Sequence, residues 1–189
     1  MTKQELRKKI KAERQQLSAR ERMIMDDLML IQLQRLPLAP WQILMSYMPM
    51  DKYGEPNVAL FESYLEHFLP GLQFAYPVSN LQEHRISAHL VSDSTIFQQN
   101  EWGIEEPIYE PVLDPMDIDV IFVPMLLCDE NGYRLGYGKG FYDRFLPECK
   151  PDIVKIGFSY FEPIPLISDT HEFDVPLNYC ITPKDIYEF

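Results

Sequence analysis

The stretch Asn131-Gly132-Tyr133-Arg134-Leu135-Gly136-Tyr137-Gly138-Lys139-Gly140-Phe141-Tyr142-Asp143-Arg144 holds four of the eight glycines in the chain, at positions 132, 136, 138 and 140. Arg134, Lys139, Asp143 and Arg144 lie in the same window. Glycine lets a backbone turn tightly and approach a ligand closely. Successive free N–H groups then make a cradle for anions. Lys and Arg add charge suited to phosphate, and Asp can hold a hard metal ion. Upstream, Val120-Ile121-Phe122-Val123-Pro124 is a short apolar run that reads as a buried strand. Downstream, Phe141 to Leu146 reads as the first turns of a helix. Strand, glycine-rich loop and helix in that order place phosphates at a helix N-terminus and predict an α/β fold.

Two common phosphate motifs are excluded. The order Gly136-Tyr137-Gly138-Lys139-Gly140 lacks the four-residue gap and terminal Lys-Ser/Thr of a P-loop. Phe141 stands where a dinucleotide fingerprint needs its last glycine. The chain has 189 residues, 46% hydrophobic and 13% aromatic, enough for one domain with a sizeable core. With 17 basic and 29 acidic residues its formal charge is −12, which argues against nucleic-acid or anionic-membrane partners. Cys128, Cys149 and Cys180 show no CxxC spacing and read as reduced structural thiols in a cytoplasm. No apolar run approaches a membrane span.

Taken in order, Thr2 to Glu5 forms a capping box that opens a helix with a thin apolar stripe at Leu6, Ile10 and Leu17. Lys3, Arg7, Lys11 and Arg14 form a basic row on one face of it, which by itself reads as solvated. Ser18 to Glu21 caps a second helix running to about Leu36, made strongly apolar by Met23, Met25, Leu28, Met29 and Ile31, and its methionines read as core filler. Strands are expected at 42–48, 72–77, 85–91, 119–124, 152–158 and 179–182, with a helix at about 58–69. Residues 100–119 read as a long irregular Pro- and acid-rich connection carrying Trp102. The alternation predicts a single three-layer α/β/α domain over residues 1–189 with a mostly parallel central sheet.

The whole string from Arg134 to Arg144 resembles the signature of the 5-formyltetrahydrofolate cyclo-ligases, also called methenyltetrahydrofolate synthetases. The resemblance extends to a basic start at Lys3 and Arg7, Glu55 in the loop after the first strand, the Gly103-Ile104-x-Glu106-Pro107 segment, and Asp174 before the last strands. It implies MgATP-dependent cyclisation of 5-formyltetrahydrofolate to 5,10-methenyltetrahydrofolate. The formyl oxygen would attack the γ-phosphate, N10 would close the ring, and phosphate would leave. It further implies that Lys139 and Arg134 act on the transferring phosphoryl group. ATP would be held by Lys3, Arg7, Arg134, Leu135, Gly136, Tyr137, Gly138, Lys139, Gly140, Phe141 and Tyr142. The folate would meet Glu55, Trp102, Tyr137, Gly138, Lys139, Gly140 and Phe141. Magnesium would be held by Asp143 and Asp174, with Asn178 standing where the family carries a second Asp. A monomer or weak homodimer is expected. A sugar-phosphate enzyme on a related fold, a non-catalytic nucleotide-binding module, and a purely structural tight turn are the competing readings of the same loop.

Overall fold

The structure, a computed structural model, describes residues 2–189. Its centre is an eight-stranded sheet in the order β12-β11-β10-β7-β1-β2-β3-β6. The strands are β1 (Ile43–Met45), β2 (Gln73–Asn80), β3 (Arg85–Leu90), β6 (Val112–Leu113), β7 (Val120–Phe122), β10 (Val154–Phe158), β11 (Tyr179–Ile181) and β12 (Ile186–Glu188). The inner pairings, β2 with β1, β1 with β7, β7 with β10 and β10 with β11, are all parallel. The outer pairings are antiparallel.

The inner strands are apolar on both faces because both faces are covered. In β7 and its extension, Val120 and Phe122 join one core cluster while Ile121 and Val123 join the other. The first cluster meets α2 (Ala19–Leu33) and α3 (Val58–Phe68) through Met29, Leu33, Phe61 and Leu65. There Phe61 stacks on Phe158, with ring centroids 4.2 Å apart. The second meets α4 (Phe141–Phe145) and the chain after it through Phe145, Leu146, Cys149 and Ile153. Helices therefore flank both faces of a mostly parallel sheet, as the alternation predicted. The expected strands and the 58–69 helix form with shifted ends. Among the described residues no helix is long and apolar enough to cross a membrane.

Three expectations fail in instructive ways. Of the α2 methionines read as core filler only Met29 is fully buried; Met25 is half-buried and Met23 exposed, as are the apolar Leu28 and Ile31. Apolar residues occupy more than one face of this helix, and composition could not say which face meets the sheet. The 100–119 segment is not irregular throughout. Glu105–Ile108 (β5) pairs with Ile96–Gln99 (β4) in an antiparallel hairpin. Its turn is set by the Asn100 side chain, which accepts from the Trp102 and Ile104 amides at 2.9 and 3.1 Å, and by Gly103 at φ +75°. Polar Gln98, Gln99, Glu105 and Glu106 hide the strand period. Third, the basic row of α1 (Lys3–Gln16) is not solvated: Arg14 is fully buried and Lys3 nearly so.

Candidate active site

The loops after β1 and β7 leave the carboxyl ends of adjacent parallel strands, the usual place for a ligand in such a sheet. Around them lies a cavity of about 570 Å³. One wall is α1. Its capping box forms as predicted, with the Thr2 and Glu5 backbones and side chains bonding reciprocally. Leu6 and Ile10 seat it on Leu126, Leu127, Leu135 and Ile167. Beside the apolar stripe, Lys3, Arg7 and Lys11 face the cavity. The other walls are the 47–55 loop, the tip of the β4–β5 hairpin, and the glycine-rich loop.

The glycine-rich loop is pinned to α1. The Arg7 Nε donates to the Gly136 carbonyl at 2.8 Å. Gly138 is at φ +89°, and a Cβ there would lie 3.2 Å from the Arg7 guanidinium carbon. Arg14 donates from Nη1 to the Tyr137 hydroxyl at 2.9 Å and from Nη2 to the Met125 and Leu126 carbonyls at 2.7 and 3.1 Å. Gly140, at φ +71°, starts α4, which is only five residues long. Arg144 donates to the Lys139 and His84 carbonyls at 3.0 and 3.2 Å, so it braces the loop, and among the described residues it makes no ion pair with Asp143.

The two acids assigned to metal each already hold a cation. Asp143 Oδ1 accepts from Arg134 Nη2 at 2.6 Å, and Arg134 also donates to the Val175 carbonyl. Burial lowers the pKa of Arg134, opposed by the Asp143 and Asp174 charges. Asp174 Oδ2 accepts from Lys3 Nζ and from the His171 amide, the latter at 2.7 Å. Burial pushes the Asp174 carboxyl up, but these two donors outweigh it and hold it below its usual value. Among the described residues there is no cluster of three or more metal-ligating side chains. Magnesium commonly binds through only one or two carboxylates together with substrate phosphates and water. Two carboxylates lining one cavity, each contacted through a single oxygen, fit that mode.

Lys139, Arg7 and Lys11 form no ion pair with a carboxylate among the described residues. Lys139 Nζ sits over the Trp102 ring, 4.9 Å from its centroid. Lys11 Nζ lies 5.1 and 5.2 Å from the Tyr53 and Tyr137 rings. Burial lowers the pKa of Lys11, and the Arg7, Arg14 and Lys139 charges lower it further. Phe141 completes an aromatic wall, 5.9 Å from Trp102 between centroids. Glu55 is half-buried, and its carboxylate accepts from the Met50 amide at 2.6 Å and bonds to the Tyr137 hydroxyl. Burial raises its pKa, and these donors with Arg14 offset part of the rise.

Fourteen of the residues proposed from sequence line this one cavity: Lys3, Arg7, Glu55, Trp102, Arg134, Gly136, Tyr137, Gly138, Lys139, Gly140, Phe141, Tyr142, Asp143 and Asp174. Leu135 does not: it pairs with Leu127 in a small hairpin, Leu127–Cys128 (β8) with Arg134–Leu135 (β9), and is fully buried. Lys11, Tyr47, Tyr53 and Lys52 also line the cavity and were not assigned to it from sequence. For Lys11 the signal was the i, i+4 basic row; the others carry no pattern.

A model of the 5-formyltetrahydrofolate cyclo-ligase family matches residues 1–183. The chain belongs to that family. Curated cyclo-ligases from Escherichia coli and Haemophilus influenzae are 34% and 37% identical over 93 and 90 residues, 43% and 44% of this chain. Those matches span 49% and 46% of the two relatives, so less than half of their length is compared. Solved structures extend the likeness. A 5,10-methenyltetrahydrofolate synthetase from Aquifex aeolicus superposes with a TM-score of 0.81 at 31% identity, covering 100% of this chain and 93% of that one. One from Mycoplasma pneumoniae gives 0.76 at 25% identity, covering 97% and 99%. The cyclo-ligase fold is thus shared along the whole chain.

Proposed function

We propose that this protein converts 5-formyltetrahydrofolate and ATP to 5,10-methenyltetrahydrofolate, ADP and phosphate. The observation that carries the proposal is the cavity itself. In a protein of net charge −12, Arg7, Lys11 and Lys139 converge, without carboxylate partners among the described residues, beside an aromatic wall and a half-buried Glu55. The cations suit a triphosphate, and the wall with a carboxylate suits a flat pterin whose N–H edge donates.

Phosphoryl transfer asks the protein mainly to position and neutralise. Lys139 is the cation assigned to the transferring phosphoryl group: among the described residues it pairs with no carboxylate, and it rests on the Trp102 ring face, which a ligand can displace. Arg7, Lys11 and the backbone of residues 136–142 hold the nucleotide, while Lys3 and Arg134, each paired with a carboxylate, add their charge at its edge. Glu55, Trp102, Tyr137 and Phe141 orient the folate so that its formyl oxygen faces the γ-phosphate and N10 lies within reach of the activated carbon. Asp143 and Asp174 would hold magnesium, which supplies charge neutralisation to the phosphates. We read residues 1–189 as one such domain, a monomer or weak homodimer of the cytoplasm without nucleic-acid or membrane partners. The match over 1–183 supports the extent, and the acidic charge supports the absence of polyanion partners.

The test is to mix protein, MgATP and 5-formyltetrahydrofolate and follow the near-ultraviolet absorbance of the methenyl product. An ATP-dependent rise is expected. No rise, with nucleotide binding intact, would favour a non-catalytic nucleotide module.

A further inference from the structure

We infer that Arg14 is a positioning residue for the folate half of the site, acting through Tyr137 and Gly54 to hold Glu55 in place and ionised. The folate part of this inference rests on the function proposed above. Arg14 is fully buried, yet it is the last cation of a row whose other members face the cavity. Its guanidinium bridges two walls. One nitrogen holds the Tyr137 hydroxyl; the other holds the Met125 and Leu126 carbonyls beyond the end of β7. With Arg14 donating to its oxygen, the Tyr137 O–H is directed onward to the Glu55 carboxylate. The loop that carries Glu55 also rests on Arg14. Gly54, at φ +58°, is packed so closely that a Cβ would lie 3.6 Å from Arg14 Cγ and 2.8 Å from Arg22 Nη1.

A fully buried arginine whose Nε finds no partner among the described residues costs folding free energy. Its return is a fixed positive charge behind Glu55. The other groups facing that carboxylate cannot supply one. Tyr47, Tyr137 and Tyr142 are neutral phenols with raised pKa values, first through burial. Lys11 lies beyond Tyr137, and Arg134 is committed to Asp143. An ionised Glu55 can accept from the N–H and amino groups of a pterin; a protonated one loses half of that pairing.

The inference is tested by labelling glutamate carboxyl carbons with ¹³C and titrating the Glu55 resonance by NMR, assigned with Glu55→Gln. The proteins compared are wild type, Arg14→Lys, Arg14→Met and Tyr137→Phe. In parallel, 5-formyltetrahydrofolate binding without ATP is followed by tryptophan fluorescence. Arg14→Met is expected to move the Glu55 midpoint upward by about one pH unit and weaken folate binding about tenfold at neutral pH. ATP affinity should change by no more than about twofold. Arg14→Lys keeps the charge and should restore the midpoint. Should Arg14→Met fail to fold, Tyr137→Phe removes the relay alone and should still raise the midpoint. An unchanged midpoint in folded Arg14→Met, or in Tyr137→Phe, overturns the inference. Wild-type protein that neither binds nor converts the folate overturns the proposed function instead, while the carboxyl titration still decides what Arg14 does.

Discussion

Gly138→Ala isolates the contact between the glycine-rich loop and α1. Two costs are expected. Forcing an L-residue to φ +89° costs about 1–2 kcal/mol. The new methyl also meets Arg7, whose Cζ lies 3.2 Å away and whose Nε and Nη1 lie 3.4 Å away. Arg7 must shift, which loosens its bond to the Gly136 carbonyl, a charged hydrogen bond worth about 1.5 kcal/mol. The total is about 2–4 kcal/mol, and for a chain of this size the melting temperature should fall by about 4–16 °C. Gly71→Ala is the control. Gly71 has φ +90° with nothing within 4 Å of a Cβ, so it carries the strain without the clash. It should lower melting by only about 2–8 °C and leave turnover alone. Thermal unfolding and the KM for ATP are measured for both. Gly138→Ala should raise the KM for ATP at least about tenfold, equivalent to ~1.4 kcal/mol of lost binding. Equal melting shifts and an unchanged KM in the two variants would refute the reasoning, because Arg7 would then contribute nothing to holding the loop.

Lys139→Ala should lower kcat by about 10²–10³-fold while the melting temperature stays near wild type, since among the described residues Nζ rests on the Trp102 ring and pairs with no carboxylate; steady-state turnover and calorimetry check it. Asp143→Asn should raise the magnesium concentration needed for half-maximal rate. It should also cost about 1–3 kcal/mol of stability, because the buried Arg134 loses its counter-charge; a metal titration with a urea melt reads both effects. On α2, Met29→Ala should cost about 2–5 kcal/mol while Ile31→Lys stays within about 0.5 kcal/mol, as judged by urea unfolding.

Much of the fold was legible because its determinants are local. The apolar runs of β1 and β7 are continuous, as strands covered on both faces must be, and the capping boxes at Thr2 and Ser18 form as written. The β4–β5 hairpin was not legible, because Glu106 sits inside it with its carboxylate bonded to the Ser79 amide and Asn100 side chain, partners remote from any local pattern. The face of α2 that packs was equally hidden: apolar residues surround the helix, and only the position of the sheet selects Met29 and Leu33.

Sequence alone determined the glycine-rich loop, its cations and its place between a strand and a helix, because backbone freedom and side-chain charge are properties of the residues themselves. Tertiary structure decided which charges remain available. It turned the basic row of α1 inward, spent Lys3 on Asp174 and Arg134 on Asp143, buried Arg14 beneath Tyr137, and left Arg7, Lys11 and Lys139 facing the cavity. Whether a charge is paired or free depends on what lies within a few ångströms of it. In this chain those neighbours come from α1, the Glu55 loop, the glycine-rich loop and the segment around Asp174, which only folding brings together.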